Sequence, residues 1–467
     1  MGDRMLTTYS VPIKELTYER IDPHFWLEST RRHHNTLAKM KKAGISVKPL
    51  SDCADEINWP GRIKRIPARR YNGTPFLTAS QVFSSIEQLS SRVEKFSHNP
   101  DSRLSIPDED CILITRSGTL GRNIFAHTHL DGCVVSDDLV RVSEPKTGIS
   151  LEYIYAYLNT EMGFELLVRR TNGSVIHHVD DVTTSLVKMP ILDVHDKITL
   201  GIREVNKLRE DGLSLCQQAR DLLVKQLGLT EILTTFDEES HANGGLQTFT
   251  ATLEYRRFDP SYYNNLVSTA LSELPLNSTL VTLGEVATVY TPPRFKRQFA
   301  ASQDYGHRVM SGKHIGLLKF DATKFLSSKM PKIEKYILEK GTIVVAGSGT
   351  IGRVSIIGQR RDGWAADNHV VRITPKDTLI EAGYLACFME TEHGQVLMKR
   401  GSYGSVVVEI GEDPTALLRM KIPIPKQKGL MKKVSDLYTK GQAKLEEAYD
   451  LELKTIAELN DAINAYG

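Results

Sequence analysis

The sequence predicts an α+β protein made of two similar mixed α/β domains, each followed by a long helix. Three observations predict this. Residues 110–189 and 341–420 align at a constant offset of 231 without a gap, and 24 of the 80 positions are identical; unrelated segments of ordinary composition would share roughly 5. After each copy, apolar residues recur at steps of three and four over some thirty positions, the pattern of one apolar stripe on a helix. Within each copy, short β-rich runs alternate with glycine-containing turns.

A period this long lies far beyond the roughly 20–50 residues of solenoid repeats, so it marks a duplicated domain. Such a chain presents two similar surfaces, suited to two similar targets or to one target with two halves. The duplication reaches upstream of the gapless region. Arg20-Ile21-Asp22-Pro23-His24-Phe25 matches Arg257-Phe258-Asp259-Pro260-Ser261-Tyr262, and Arg62-Ile63-Lys64-Arg65 matches Arg294-Phe295-Lys296-Arg297. The offset drifts from 237 to 232 between these, as small loop insertions would cause. Between the basic segments and the gapless region, residues near 62–110 and 294–340 align poorly.

The strands follow in order. Cys111-Ile-Leu-Ile-Thr115 and Thr342-Ile-Val-Val-Ala346 are β-rich runs ending before Ser-Gly, and Leu139-Val140-Arg141-Val142 corresponds to Val370-Val371-Arg372-Ile373. Tyr153 to Thr160 and Tyr384 to Thr391 read as a helix followed by Gly163 or Gly394. Each copy closes on a proline-marked apolar segment, Met189-Pro190-Ile191 and Ile422-Pro423-Ile424-Pro425.

The long helices come next. Ile198, Ile202, Val205, Leu208, Cys216, Ala219, Leu223 and Leu227 line the first, which Gly228 is placed to stop. Leu430, Val434, Leu437, Leu445, Tyr449, Leu453, Ile456, Leu459 and Ile463 line the second. The two are themselves related: Val205/Val434, Leu208/Leu437, Gly212/Gly441, Ala219/Ala448 and Leu222/Leu451 are identical pairs. A glycine inside a helix costs about 1 kcal/mol, so Gly212 and Gly441 mark either a close crossing, a kink or a break into shorter helices. Residues 229–253 are polar and glycine-containing and read as a linker. The predicted order is a first domain over 1–195, a helix over 196–228, the linker, a second domain over 254–425 and a helix over 426–467.

Composition narrows the function. The 467 residues suffice for two to four domains. A net charge of +2 is far from the strong basicity of an obvious nucleic-acid binder, so any basic surface is local. Five scattered cysteines without a C-x-x-C suggest neither a disulfide framework nor a zinc site and fit a reduced, cytoplasmic setting. No secretory or membrane-spanning segment is read.

Gly347-Ser348-Gly349-Thr350-Ile351-Gly352 matches the dinucleotide-binding glycine pattern. That site needs a helix N-terminus directly after the glycines, whereas Arg353-Val354-Ser355-Ile356 reads as strand, and the sister copy has Arg116 at the first glycine. What both copies share is Ser-Gly-Thr-[Leu/Ile]-Gly-Arg, at 117–122 and 348–353. It serves equally as a tight hairpin or as a ligand-contacting loop carrying Arg122 or Arg353. Arg62, Lys64, Arg65, Arg69 and Arg70 cluster, as do Arg294, Lys296, Arg297 and Arg308 in the related segment. Clustered cations neutralise phosphates, and arginine also suits guanine O6 and N7. The histidine pairs His33-His34, His127/His129 and His177-His178 do not recur between copies, and no metal site is read from them. Thr291-Pro292-Pro293-Arg294 is only loosely like the Pro-Pro element of amino-methyltransferases and lacks its flanking residues. No P-loop lysine motif, nucleophile elbow or nuclease carboxylate–lysine set is present.

The duplicated opening Arg-[Ile/Phe]-Asp-Pro-x-aromatic, the β-run into Ser-Gly-Thr-[Leu/Ile]-Gly-Arg and the closing Ile-Pro-Ile-Pro before a long helix resemble the DNA specificity subunit of type I restriction-modification systems. The resemblance covers nearly the whole chain and rests on the order of elements rather than on one motif. It implies two target recognition domains, each reading half of a bipartite double-stranded DNA sequence, and two helices pairing as an antiparallel coiled coil. It implies no catalysis in this chain. Two modification subunits, which bind S-adenosylmethionine and methylate adenine, and restriction/translocase subunits using ATP and Mg would be partners. On this reading Arg62, Lys64, Arg65, Arg69, Arg70, Ser117, Arg122, Arg294, Lys296, Arg297, Arg308, Ser348 and Arg353 are the DNA-contact candidates. Val205, Leu208, Ala219, Leu222, Val434, Leu437, Ala448 and Leu451 are the helix-pairing and subunit-interface candidates. The rival expectations are a recognition subunit for a fused restriction–methylation enzyme outside type I, a nucleotide-binding enzyme using Gly347–Gly352, and a pure protein scaffold.

Overall fold

The computed structural model describes residues 28–59, 66–68, 73–85, 89, 92–93, 110–169, 178–233, 260–319, 323–349, 351–376, 379–403, 408–410 and 414–467. The chain divides into two compact units. One comprises Met1–Pro67, Thr74–Lys207 and Ala448–Gly467, and the other Ala68–Gly73 and Leu208–Glu447.

The first unit runs α1 (Glu28–Lys42), β1 (Ser46–Pro49), β2 (Ala54–Asn58), β3 (Thr74–Leu77), β4 (Arg92–Val93), β5 (Cys111–Thr115), β6 (Asn123–Ala126), β7 (Val134–Val135), β8 (Leu139–Pro145), α2 (Leu151–Leu158), α3 (Glu161–Val168), α4 (Asp181–Ser185), β9 (Lys188–Ile191) and the start of α5 (His195–Leu227). An antiparallel sheet has the order β2-β8-β5-β6. All five residues of β5 are buried, which is why its sequence is a continuous apolar run rather than an alternation. A second sheet, β4-β3-β7, pairs β3 with β7 in parallel. Tyr153, Tyr155 and Tyr157 of α2 are fully buried. Their hydroxyls donate to Pro190 O (2.9 Å), the Glu452 carboxylate and Lys188 O (2.6 Å) respectively, so three polar tips are buried with partners.

The second unit repeats the plan with α6 (Pro260–Tyr263), α7 (Asn265–Glu273), β10 (Ser278–Thr282), α8 (Leu283–Val286), β11 (Ala287–Tyr290), β12 (Phe299–Ala300), β13 (Gly306–Met310), β14 (Phe325–Ser327), β15 (Ile343–Ala346), β16 (Val354–Ile356), β17 (Ala365–Ala366), β18 (Val370–Pro375), α9 (Ala382–Glu390), α10 (Glu392–Lys399), α11 (Thr415–Leu418), β19 (Lys421–Pro425) and α12 (Leu430–Asn464). Its sheets are β11-β18-β15-β16 and β12-β14-β13-β17. The repeat extends to register: Ile112 faces Val142 as Ile343 faces Ile373, and Thr115 faces Leu139 as Ala346 faces Val370. The parallel pair recurs too, Phe76 with Val134 and Val309 with Ala365. Residue 76 therefore corresponds to 309, inside the stretch where the sequences alone align poorly. The proline-marked segments are β9 and β19, each paired with one strand, β1 or β10. Proline is tolerated at such a sheet edge.

The helices expected over Tyr153–Thr160 and Tyr384–Thr391 are α2 and α9, and each is followed by a second helix, α3 or α10, that contains the glycine. Thr160 and Thr391 cap α3 and α10 by accepting from the backbone N–H of Gly163 and Gly394 (both 3.1 Å). A Cβ at Gly163 would lie 2.0 Å from Tyr157 O, and at Gly394 2.0 Å from Phe388 O. The glycines are there because the second helix passes tightly against the end of the first.

The helices α5 and α12 span 33 and 35 residues, so Gly212 and Gly441 break neither. In the first unit Lys197 Nζ meets Glu458 at 2.7 Å, and a Cβ on Gly201 would touch Thr455 Oγ1 at 2.7 Å. In the second unit Lys444 Nζ meets Asp211 at 2.8 Å, and a Cβ on Gly441 would stand 2.6 Å from both Gly212 O and Cys216 Sγ. The partners run in opposite order in each unit. Of the three readings of the glycine pair, the close crossing is what the structure has. Val205, Leu208, Ala219, Val434 and Ala448 are buried within the chain, while Leu222, Leu437 and Leu451 are half-buried.

Helices α1 and α3 of the first unit, and α7 and α10 of the second, are tied by a histidine and a glutamate with the roles exchanged. His33 of α1 faces Glu165 of α3 at 3.3 Å, and His393 of α10 faces Glu273 of α7 at 2.8 Å. Burial lowers the pKa of both histidines, and the neighbouring glutamate only partly offsets it. The unfolded chain then binds protons more readily than the folded one, so stability is held above pH 6.5, the ordinary histidine value, and is lost as pH falls below it. His393→Asn is expected to melt lower than the parent at pH 8 but to lose less on acidification to pH 5.5. Parallel losses in melts of both proteins would refute the assignment.

Candidate nucleic-acid interface

In the second unit, β15 delivers Gly347-Ser348-Gly349 and β16 begins at Val354. A strand, not a helix, follows the glycines, so no helix N-terminus is available for a pyrophosphate. The hairpin glycines are explained by packing. Gly118, Gly121, Gly349 and Gly352 all have positive φ, and a Cβ at Gly121 or Gly352 would strike Val168 on α3 (2.6 Å) or Gln395 on α10 (2.2 Å). Gln395 Nε2 donates to Gly352 O at 2.7 Å.

Two predicted segments converge here. Ser348 Oγ donates to Glu409 Oε1 at 3.1 Å, and Arg294 Nη2 lies 3.9 Å from Glu409 Oε2. The Arg294 side chain is 77% exposed, and Lys296 is exposed with no ion pair among the described residues. Arg297 instead turns to the β17–β18 turn. Its Nη2 donates to Asp367 Oδ1 (2.9 Å), Asp367 Oδ2 (3.0 Å) and Asn368 Oδ1 (2.6 Å). Arg294, Phe295, Arg297, Asn368 and His369 line a cavity of about 370 Å³, and Phe295 stacks on Tyr336 with centroids 4.1 Å apart. Arg308 of β13 sits over Phe325 (5.2 Å) and Trp364 (5.6 Å), a cation–π setting. Arg353 is half-buried, and burial pushes its pKa down. It does not line the cavity.

In the first unit Ser117 Oγ donates to Asp138 Oδ1 at 2.7 Å. The Arg116 guanidinium lies 3.9 Å over the Trp59 ring, whose Nε1 donates to Asp137 O. Arg122 stacks 4.4 Å over the Phe83 ring. Arg62, Lys64, Arg65, Arg69 and Arg70 lie outside the described residues. Among the described residues the ligating atoms of His33, Glu161 and Glu165 fall within 4.8 Å of one another. Glu161 there already holds Arg32 at 2.8 Å.

Asp367, Asn368, His369 and Glu409 escaped the sequence reading. A signal existed: at the constant offset they replace Ser136, Asp137, Asp138 and His178, a run of changes beside matched strands. Divergence at a fixed backbone position is what two readers of different targets would show.

The sheet is built twice on one register, and in the second copy cations, a carboxylate and hydrogen-bond donors gather beside a turn of it. Residues 275–454 match the family described as Type I restriction modification DNA specificity domain. The match covers the second copy and most of α12, and the shared register makes the first copy the same fold. A type I restriction-modification system S subunit from M. genitalium aligns over 90% of this chain and 94% of its own at 13% identity and a TM-score of 0.33. The HsdS subunit from Thermoanaerobacter tengcongensis aligns over 91% and 96% at 13% identity and a TM-score of 0.26. At these values the family match and the internal repeat carry the argument, not the likeness to either structure. A comparison with the curated proteins gives no match. No helix among the described residues is long and apolar enough to cross a membrane.

Proposed function

We propose that the chain is the non-catalytic specificity subunit of a type I restriction-modification complex and reads a bipartite double-stranded DNA target with one domain per half. The domains are those over 1–195 and 254–425. The helices act as the spacer, paired as an antiparallel coiled coil. At 1.5 Å per residue each is about 50 Å long, the length of roughly 15 base pairs. The observation that carries the reading is the register-for-register repetition of a sheet whose second copy matches the DNA specificity domain family.

Two modification subunits binding S-adenosylmethionine, and restriction subunits using ATP and Mg, supply the chemistry in a cytoplasmic complex. Val205, Leu208, Ala219, Val434 and Ala448 serve helix packing within the chain, so partner subunits dock elsewhere on the helices. Methylome sequencing of the host with and without the gene tests the proposal. Loss of one bipartite adenine-methylation motif is expected, and an unchanged methylome of an otherwise active system overturns it.

A further inference from the structure

We propose that His33, Glu161 and Glu165 bind one divalent cation of the zinc class, which staples α1 to α3 in the first unit. His33 is 5% exposed. Its Nε2 and the Oε2 of Glu165 are both buried, and neither has a hydrogen-bond partner among the described residues. Yet these two atoms face each other at 3.3 Å. A buried polar atom without a partner costs stability, and here two of them adjoin. A cation between them satisfies both.

The spacing fits a metal. Zinc binds histidine nitrogen and carboxylate oxygen at about 2.0–2.2 Å in tetrahedral geometry, which sets neighbouring ligand atoms about 3.3 Å apart. Glu161 supplies the third ligand, since one ligating atom from each residue lies within 4.8 Å of the other two. Glu161 and Glu165 stand one helical turn apart on α3, so their carboxylates share a face. The Glu161 side chain is half exposed, which lets it close the remaining distance and gives the cation a path from solvent. Arg32 takes only its Oε1, at 2.8 Å. Two carboxylates and a neutral imidazole balance a double positive charge, and burial holds the His33 pKa down, toward the neutral form that ligates. Magnesium and calcium prefer oxygen ligands alone and match this set less well.

The second unit holds the corresponding contact closed. His393 Nε2 and Glu273 Oε2 are hydrogen-bonded at 2.8 Å, and the Glu273 carboxylate also accepts from the Thr230 N–H (2.9 Å) and Oγ1 (2.7 Å). At the repeat's offset Glu392 takes the place of Glu161 but accepts from the Leu233 N–H (3.2 Å), and Val396 replaces Glu165. That histidine has one carboxylate, already bonded. His33 has two within reach and no hydrogen bond at its Nε2. The site therefore belongs to the first unit, and it stands independently of the DNA-recognition reading.

The test titrates the full-length chain, stripped of metal by a chelator, with zinc, cobalt and magnesium salts. A single zinc is expected to bind, raising the melting temperature of the first unit by about 5–10 °C once zinc stands roughly a hundredfold above its dissociation constant. Cobalt should show the intense visible absorption of a tetrahedral site, and magnesium should have no effect. Glu161→Gln alters only a half-exposed side chain, so it should fold and melt like the metal-free parent. It should bind zinc about 100-fold more weakly or worse, since even an outer partner of a metal ligand contributes about 10- to 100-fold. His33→Asn should abolish binding. Arg32→Ala releases Glu161 Oε1 and removes a competing charge, so it should bind zinc more tightly. His393→Asn, in the second unit, should keep the parent's response. The inference is overturned if zinc leaves the parent's melting unchanged, if magnesium acts as zinc does, or if Glu161→Gln keeps the parent's affinity. It is also overturned if Arg32→Ala weakens zinc binding, which would leave Glu161 a partner of the arginine alone.

Discussion

Glu446→Ala is expected to destabilise the second unit by about 3–5 kcal/mol, because it strands a buried arginine. The Arg361 side chain is 3% exposed and that of Glu446 11%. Arg361 Nε donates to Glu446 Oε1 (3.0 Å), Nη1 to Ser355 Oγ (3.0 Å) and Nη2 to Ile356 O (3.1 Å). Burial pulls the pKa of Arg361 down, and Glu446 is the charge that counteracts it. Gly358 permits the approach, since a Cβ there would stand 2.1 Å from Glu446 Oε2. All three guanidinium nitrogens donate, linking helix α12 to the β16 side of the sheet. Removing the carboxylate leaves the charge in place without its partner. For a unit of this size the melting temperature should fall by roughly 6–20 °C. Replacing both partners by apolar residues, Arg361→Met with Glu446→Leu, should recover most of the loss. Single and double variants compared by thermal denaturation decide it, and a single variant melting within a few degrees of the parent would dismiss the pair as a structural tie.

That pair also shows where the sequence stops informing. At the repeat's own offsets Arg361 faces Leu130 and Glu446 faces Gln217, so duplication could not disclose it. Repetition reveals what both copies need: the buried runs of β5 and β15, the tyrosine hydroxyls on Pro190 and Pro423, and the capped Thr–Gly turns. Of these the buried runs were read from the sequence, and the tyrosine and threonine contacts emerge only with the fold. The roles of Gly163 and Gly394 were not legible, since sequence spacing does not convey how closely one helix passes another. Of the proposed recognition surface the cations stand out in sequence as a cluster, but their partners lie seventy or more residues away, Asp367 for Arg297 and Glu409 for Arg294. Acceptors placed by tertiary folding leave no spacing to recognise.

The two exposed cations of that cluster yield the largest functional effect. Arg294→Ala combined with Lys296→Ala should weaken DNA binding by the complex roughly a hundredfold. A hydrogen bond to a charged group contributes about 1.5 kcal/mol or more, and two such losses amount to about two powers of ten. The loss should be uniform across cognate and unrelated duplexes, because phosphate contacts carry no sequence information. The slope of log affinity against log salt should become shallower by about 0.9 for each contact, near 2 for the pair. Glu409 sharpens the expectation. It accepts from Ser348 and lies near Arg294, so Glu409→Gln removes a negative charge beside the phosphate path and should strengthen non-specific binding. Titrations at several salt concentrations separate the outcomes. An unchanged slope in the double variant would show that neither cation meets a phosphate, whereas a loss confined to the cognate duplex would place them on base edges.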